Sequence, residues 1–489
     1  MSKKLYRDLI NTSAIYFILR VIGIFRGILF PRILGPEQWG LFSITTGIIS
    51  LLGPFAQLAM STTLTTYISK YKDNKQKLKS HVNSAYFVAI LSSFLVSISL
   101  IFLSDYLASS IFEDNRLKAF LLLGSGILFF NQVNTINRDY FRGFKDFKKY
   151  NILKIIPTIS YTLLAFSFLI LFSYRSIYLL IAQILIFSIL GVTVLIYLYR
   201  YEDVFNIFKI PQINVTKKVL KFGVPLIFTI TFMTIMKSLD RILIGYFLDI
   251  SEVGIYSVAA GIPLKFGVIL SPISTVLLPT FSERYEKKRS SKILLKEIFS
   301  FILFLSIPLI IFIILFSEDI LFLFFGSEYI LGSSVLAIAS FEIFFYSGRK
   351  IFTSPMLAAE KTGRLALLFG ISAAVNIILN VLLIPILGME GAALGTVLSF
   401  AILFFLMLYL IKKEYEFDIG NINIKAVITY IITLITIGYF LKVVVDGIVY
   451  LIISGVIYLV ISTIFINISS PIWYKELIKY IKSYLNKIL

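Results

Sequence analysis

Long apolar stretches that follow one another constrain this chain more than any other feature of its sequence. A helix that crosses a bilayer needs about 20 consecutive, mostly apolar residues. Such stretches recur from residue 12 almost to the end of the chain, in which 58% of residues are hydrophobic and 15% are charged. The sequence therefore predicts an all-α integral membrane protein with 14 transmembrane helices. The predicted spans are 12–34, 41–65, 82–104, 118–137, 151–173, 177–199, 222–245, 254–280, 298–316, 330–347, 365–386, 391–411, 425–442 and 447–468.

The distribution of basic residues predicts the orientation of these spans. Cytoplasmic loops of membrane proteins are enriched in Lys and Arg, and most of the 46 Lys and Arg residues fall in every second predicted loop. In loop 70–79, every charged residue except Asp73 is a lysine, whereas the next loop carries Glu113 and Asp114. We therefore expect a multi-pass protein of the cytoplasmic membrane with both termini in the cytoplasm. On this interpretation the net charge of +19 reports orientation, and no nucleic-acid partner is expected.

Two segments, 34–43 and 248–257, resemble each other and indicate an internal duplication, in which Gly40 corresponds to Gly254. Because six predicted spans separate the copies, the copies have the same orientation, and their pseudo-two-fold axis should run along the membrane normal. We predict two pseudo-symmetric six-helix lobes around a central cavity, followed by two C-terminal helices. The predicted divisions are an N-lobe at 1–210, a C-lobe at 211–415, a two-helix extension at 416–469 and a cytoplasmic amphipathic helix at 470–489.

Charged side chains inside the predicted spans are the candidate functional residues. A charge near the bilayer centre costs at least about 2.5–3.5 kcal/mol, so these side chains should face a cavity or a partner. Basic residues outnumber acidic ones among them, and guanidinium and ammonium groups suit a phosphate. A cationic cavity for an anionic headgroup is therefore predicted. The predicted substrate-binding residues are Arg20, Arg26, Lys237, Asp240, Arg241, Lys265 and Glu342, followed by Lys154, Asn376 and Asn380.

Structural roles remain open for several of these residues. Asp240 could pair with Lys237 or Arg241 on the same helix face, and Lys154 could extend its ammonium group to the inner membrane interface. The asparagines of the eleventh span could join helices through hydrogen bonds. Because the chain has no cysteine and one histidine, the sequence predicts neither a disulfide framework nor a metal site.

Short motifs in both halves of the chain resemble those of a known transporter group. The C-terminal half contains MLAAEKTGR at 356–364 and AAVNIILN at 373–380. The N-terminal half contains LGPEQWG at 34–40 and RGFKDF at 142–147. These motifs resemble the polysaccharide-type, or oligosaccharide flippase, branch of the multidrug/oligosaccharidyl-lipid/polysaccharide exporter superfamily.

The resemblance implies a transporter rather than an enzyme. Such a flippase moves polyprenyl-(pyro)phosphate-linked oligosaccharide from the inner to the outer leaflet by alternating access, for surface polysaccharide or glycoprotein assembly. Related lipid II flippases carry arginines in the cavity of the first lobe, which implies substrate binding by Arg20 and Arg26. Implied partners are the lipid-linked oligosaccharide, membrane lipids and glycosyltransferases or a polymerase of the same pathway; we expect a monomer. No cofactor is expected, and coupling to Na⁺ or H⁺ is left open.

Three other functions also stay open. A drug/cation antiporter of the same fold would prefer an acidic cavity for its cationic substrates, whereas basic residues predominate inside these spans. A membrane polysaccharide polymerase or ligase needs acid–base groups or a sizeable outer loop, whereas the longest predicted outer loop, 105–117, is short. A purely structural membrane protein would have no use for charged groups inside its spans.

Overall fold

The computed structural model is helical and contains no β-strand in the part of the chain that it describes. The described residues are 3–172, 175–203, 205, 211–269, 281, 292–359, 361–415, 424–444, 453–458 and 460–461. The helices are α1 (Lys3–Gln57), α2 (Met60–Tyr71), α3 (Lys75–Tyr106), α4 (Arg116–Gly143), α5 (Phe147–Leu171), α6 (Ile177–Tyr201), α7 (Ile213–Phe247), α8 (Ile250–Ala259), α9 (Gly261–Ile269), α10 (Lys292–Leu315), α11 (Ser317–Phe325), α12 (Ser333–Ala339), α13 (Glu342–Ala358), α14 (Thr362–Tyr415) and α15 (Ile424–Val444). The predicted amphipathic helix at 470–489 lies outside the described residues.

Nine helical stretches in the described ranges are long and apolar enough to cross a membrane. Two of them, 14–71 and 363–413, would measure roughly 75–85 Å if straight, more than twice the roughly 30 Å hydrocarbon core. Each is instead bent at a glycine with positive φ, Gly35 (76°) and Gly388 (61°), a conformation that costs glycine little. The first stretch is interrupted again between α1 and α2, where Leu58 and Ala59 have positive φ. The predicted helical membrane protein is confirmed, and the count of 14 spans stays a prediction.

The helices form two compact units, Met1–Ser257 and Val258–Leu489. The first unit includes α7, which packs along α1, and α8 as far as Ser257. The predicted division at 210/211 follows the sequence repeat, whereas the compact units follow the packing of helices. The division into lobes therefore stays a prediction.

The two repeated segments touch each other within the first unit, and both sides of the contact use equivalent residues. A Cβ atom added to Gly40 would lie 1.9 Å from the backbone oxygen of Ile250. A Cβ atom added to Gly254 would lie 1.9 Å from the backbone oxygen of Pro36. Since Pro36 and Gly40 occupy the same repeat positions as Ile250 and Gly254, the contact has local two-fold symmetry, as a duplication predicts.

Polar contacts hold the bend of α1 in place. The hydroxyl groups of Ser43 and Ser257, another equivalent pair, lie 2.9 Å apart in a hydrogen bond. Arg116, at the start of α4, forms ion pairs with Glu37 at 2.7 Å and with Asp114 at 2.6 Å. Hydrogen bonds from Arg116 lower the pKa of Asp114 below its usual value. These contacts fix the bend of α1 relative to α4 and to the second repeat.

A tight turn between α4 and α5 brings two basic side chains to the same place. Lys145 adopts a positive φ of 60°, and the Asp146 carboxylate caps α5 by accepting a hydrogen bond from the backbone N–H of Lys149 at 3.1 Å. Arg138 and Lys154 lie equally far from Asp146 on either side of the turn. The antiparallel packing of α4 and α5 therefore places these two cations at similar depth.

Candidate functional site

A cavity of about 650 Å³ lies within the first unit and is lined by α1, α4, α5 and α6. Its volume is in the usual range of ligand pockets. α1 lines it with Tyr16, Arg20, Gly23, Gly27 and Phe30. These residues recur at intervals of three or four and so share one face of the helix. The cavity therefore follows α1 for roughly 20 Å, at 1.5 Å per residue.

Four basic side chains line this cavity: Arg20, Arg26, Arg138 and Lys154. Among the lining residues that the structure describes, none is an aspartate or a glutamate. In the same described ranges, no three His, Asp or Glu side chains form a cluster that could hold a metal ion. A cleft with one sign of charge and low-dielectric walls concentrates the electric field and attracts ions of the opposite sign. This cavity is thus suited to an anionic group.

Lys154 is held at one end of the cavity by aromatic groups. Its ammonium group donates a hydrogen bond to the Tyr16 hydroxyl and lies 3.8 Å from the centre of the Tyr16 ring and 4.9 Å from that of Tyr150. The two tyrosine hydroxyls are 3.2 Å apart. Since cation–π contacts stabilise a positive charge without cancelling it, the charge remains available to a ligand. We call this end, with Tyr16 and Lys154, the tyrosine end.

Two arginines of the cavity have defined surroundings in the structure. The Arg26 guanidinium is 5.0 Å from the centre of the Tyr161 ring. The Nε atom of Arg138 is buried and has no hydrogen-bond partner in the described structure. An unpaired buried donor is costly, on the order of 1–3 kcal/mol, and a bound oxyanion would remove that cost. Arg20 lies between one and two turns before Arg26 on α1 and also lines the cavity.

The predicted group on α7 does not line this cavity. Lys237, Asp240 and Arg241 all belong to the first unit but are absent from the cavity wall. Asp240 is buried and accepts a hydrogen bond of 2.6 Å from the Tyr256 hydroxyl of α8. The structure thus gives Asp240 a partner that the sequence interpretation did not name. A substrate-binding role for these three residues stays a prediction.

The remaining candidates belong to the second unit. They are Lys265 on α9, Glu342 at the start of α13, and Asn376 and Asn380 on α14. Glu342 and both asparagines are buried. The Asn376 amide donates hydrogen bonds to Thr396 at 3.1 Å and to Ser399 at 3.3 Å. Because the bend at Gly388 lies between Asn376 and these hydroxyls, Asn376 joins the two arms of α14. This contact agrees with the structural role, hydrogen bonding between helices, that the sequence left open.

Sequence reasoning missed Arg138, which it assigned to a cytoplasmic loop. In the structure α4 continues to Gly143, and Asn131, Asn134 and Arg138 line the cavity. These three residues are spaced by three and four positions, the spacing of one helix face. A search for polar residues with that spacing, carried beyond the apolar part of the span, would have found them.

Comparison with known proteins identifies the family. A family model described as polysaccharide biosynthesis protein matches residues 29–333, more than half of the chain. The chain belongs to this family. Its membership confirms the resemblance to polysaccharide-type exporters that the motifs indicated.

Some proteins similar to this chain carry flippase names. A Haloferax volcanii protein named "Probable low-salt glycan biosynthesis flippase Agl15" is 32% identical over 166 residues, 34% of this chain and 35% of that protein. The structure titled "Lipid II flippase MurJ, inward closed conformation" is similar with a TM-score of 0.76 and 21% identity, covering 96% of this chain and all of that one.

The fold is shared with transporters of another substrate class. An inward-facing multidrug resistance MATE family transporter matches with a TM-score of 0.66 and 14% identity, over 81% of this chain and 94% of that one. At these low identities the structural matches show the fold alone. Since the same fold occurs in a lipid flippase and in a multidrug transporter, the lining of the cavity has to distinguish the functions.

Proposed function

We propose that this family member is a flippase that moves polyprenyl-(pyro)phosphate-linked oligosaccharide from the inner to the outer leaflet. The observation that carries the proposal is the cavity of the first unit, with four basic lining residues and no acidic one among those described. One guanidinium group can donate two parallel hydrogen bonds to the oxygens of a phosphate. Such charge-assisted hydrogen bonds are stronger than those between neutral groups. The flippase names among its relatives support the same substrate class.

A drug/cation antiporter is the main alternative because the fold occurs in multidrug transporters. A cationic drug in this cavity would meet Arg20, Arg26, Arg138 and Lys154 without an acidic lining residue in the described structure to compensate them. Like charges repel each other more strongly near or inside a protein than in bulk water. The cavity therefore favours the flippase.

In the proposed function, the cavity lowers the energetic cost of moving a charged headgroup across the membrane. A phosphate group cannot cross the hydrocarbon core alone because its transfer from water costs many kcal/mol. In the proposed cycle the headgroup enters the cavity, exchanges its hydration for bonds to the cations, and leaves on the other side by alternating access, while the polyprenyl chain stays in lipid. Lys154 and Arg26 contact aromatic rings, so binding need not break an ion pair there.

Transport by purified protein tests the proposal. Proteoliposomes would contain a fluorescent polyprenyl-pyrophosphate-linked oligosaccharide, and a membrane-impermeant quencher would report how much of it reaches the other leaflet. We expect flipping above that of protein-free vesicles, and no movement of a cationic dye in parallel vesicles. Dye transport without flipping would favour the antiporter and overturn the proposal.

Removal of Arg138 should weaken binding of the headgroup. A hydrogen bond to a charged group contributes about 1.5–3 kcal/mol, so Arg138→Leu should lower the affinity for a short-chain polyprenyl pyrophosphate about 10- to 100-fold. Isothermal titration calorimetry in detergent would measure it. Arg200→Leu is the matched control, because Arg200 is exposed on α6 and does not line the cavity. Equal affinities of the two variants would exclude Arg138 from the site.

A further inference from the structure

We propose that the end of the cavity opposite Lys154 is a saccharide subsite, which binds the sugar joined to the pyrophosphate. Two aromatic residues, Trp39 and Phe42, and two amide residues, Asn131 and Gln183, form its wall. The inference rests on the proposed function and specifies which part of the cavity recognises which part of the substrate. We call these four residues the saccharide wall.

The four helices place the saccharide wall away from the tyrosine end. Asn131 precedes Arg138 by two turns of α4, roughly 10 Å along the helix. Trp39 and Phe42 follow the bend of α1 and pack against a hydrophobic cluster that contains Phe30. Phe30 is itself roughly 20 Å along α1 from Tyr16. A substrate with its pyrophosphate between the cations would therefore extend its first sugar towards this wall.

The aromatic part of the wall resembles a surface for stacking sugars. The rings of Trp39 and Phe42 are stacked, with centroids 5.1 Å apart and an interplanar angle of 28°. The indole Nε1 of Trp39 is buried and has no hydrogen-bond partner in the described structure. Because buried indole N–H groups usually find an acceptor, a group that enters the cavity is the natural partner. Sugar rings offer both an apolar face for stacking and oxygen acceptors.

The amide part of the wall provides donors and acceptors together. Asn134 uses its amide to bind backbone oxygens of Phe130 and Phe187, at 2.8 and 2.7 Å. Asn131 and Gln183, by contrast, have no side-chain hydrogen bond within the described residues. An amide can donate and accept at once, which matches neighbouring sugar hydroxyls. A fully ionised phosphate only accepts, so the amide oxygens would be of no use to a site for the pyrophosphate alone.

The chain allows a direct optical test because it has only two tryptophans. Trp473→Phe leaves Trp39 as the single tryptophan of the full-length protein. This protein would be titrated with a short-chain polyprenyl pyrophosphate and with the same carrier bearing one hexose or N-acetylhexosamine. We expect both carriers to bind, the glycosylated one at least about fivefold more tightly. Only the glycosylated carrier should change the emission of Trp39.

Amide variants separate the saccharide wall from the cationic part of the cavity. Asn131→Leu and Gln183→Leu should lower the affinity for the glycosylated carrier at least about fivefold, far more than that for the bare carrier, and so remove the preference. Thermal unfolding in detergent would show that the variants fold. Gln76→Leu, at an exposed position on α3, is the control and should keep the preference. Equal affinity and equal Trp39 emission for both carriers would overturn the subsite alone. Binding of neither carrier would contradict the proposed function and the subsite together.

Discussion

Replacement of both Arg20 and Arg26 by glutamate should abolish transport of the lipid-linked oligosaccharide. The substitutions exchange two lining cations for two anions, so attraction of the phosphates becomes repulsion in a site of low dielectric constant. Loss of two charge-assisted hydrogen bonds alone corresponds to at least about a 100-fold decrease in transport. The initial rate of flipping in proteoliposomes and complementation of a flippase-deficient strain would both measure it.

Two controls make this result specific to the cavity. Lys75→Glu reverses a charge in an exposed ion pair with Asp203, which contributes at most about 1 kcal/mol, and should retain transport. Arg20→Lys with Arg26→Lys keeps the positive charge and should retain part of the activity. Full complementation by the double glutamate variant, at normal levels in the membrane, would show that the cationic cavity is not the pathway.

Alanine at Gly40 or Gly254 should strongly destabilise the protein. The new Cβ atom would lie 1.9 Å from a backbone oxygen in either case, and a backbone atom cannot rotate away as a side chain can. Overpacking of this kind typically costs about 1–3 kcal/mol, and sometimes more. Thermal unfolding in detergent would show it as a lower midpoint and a smaller yield of monodisperse protein.

The local symmetry of this contact makes the prediction stricter. Because equivalent atoms meet on both sides, the two alanine variants should lose stability by similar amounts. Gly261→Ala is the control, since a Cβ atom there would meet nothing within 4 Å, and it should unfold near the temperature of the original protein. A normal unfolding temperature for Gly40→Ala would mean that the repeated segments are not packed as described.

The sequence predicted the helices and the repeat because both depend on patterns along the chain. Apolar length determines whether a helix can cross a bilayer. The segments 34–43 and 248–257, which resemble each other, pack together through Gly40 against Ile250 and Gly254 against Pro36. The bends in the helices were harder to predict from the sequence. The sequence interpretation separated the spans by short loops, whereas single glycines at Gly35 and Gly388 turn the chain inside otherwise continuous helices.

The site was predictable in part, for a similar reason. Arg20 and Arg26 were found because a charge in the middle of an apolar span is conspicuous, and both line the cavity. Arg138 was missed because it lies at the end of its span, where basic residues are normally an orientation signal. Trp39 was missed as well because the sequence does not show which residues surround an aromatic side chain in an apolar segment. Their roles depend on which helices pack together.

Photo-cross-linking in living cells tests the central claim most directly, namely that the lipid-linked oligosaccharide passes through this cavity. A photoreactive phenylalanine derivative would replace Thr158, which lines the cavity, or Leu163, which is 65% exposed on the same helix α5. We predict a glycan-positive adduct from position 158, absent from position 163 and lost when Arg26→Glu is added. Adducts of equal yield at both positions, or an adduct at 158 that survives Arg26→Glu, would contradict the account.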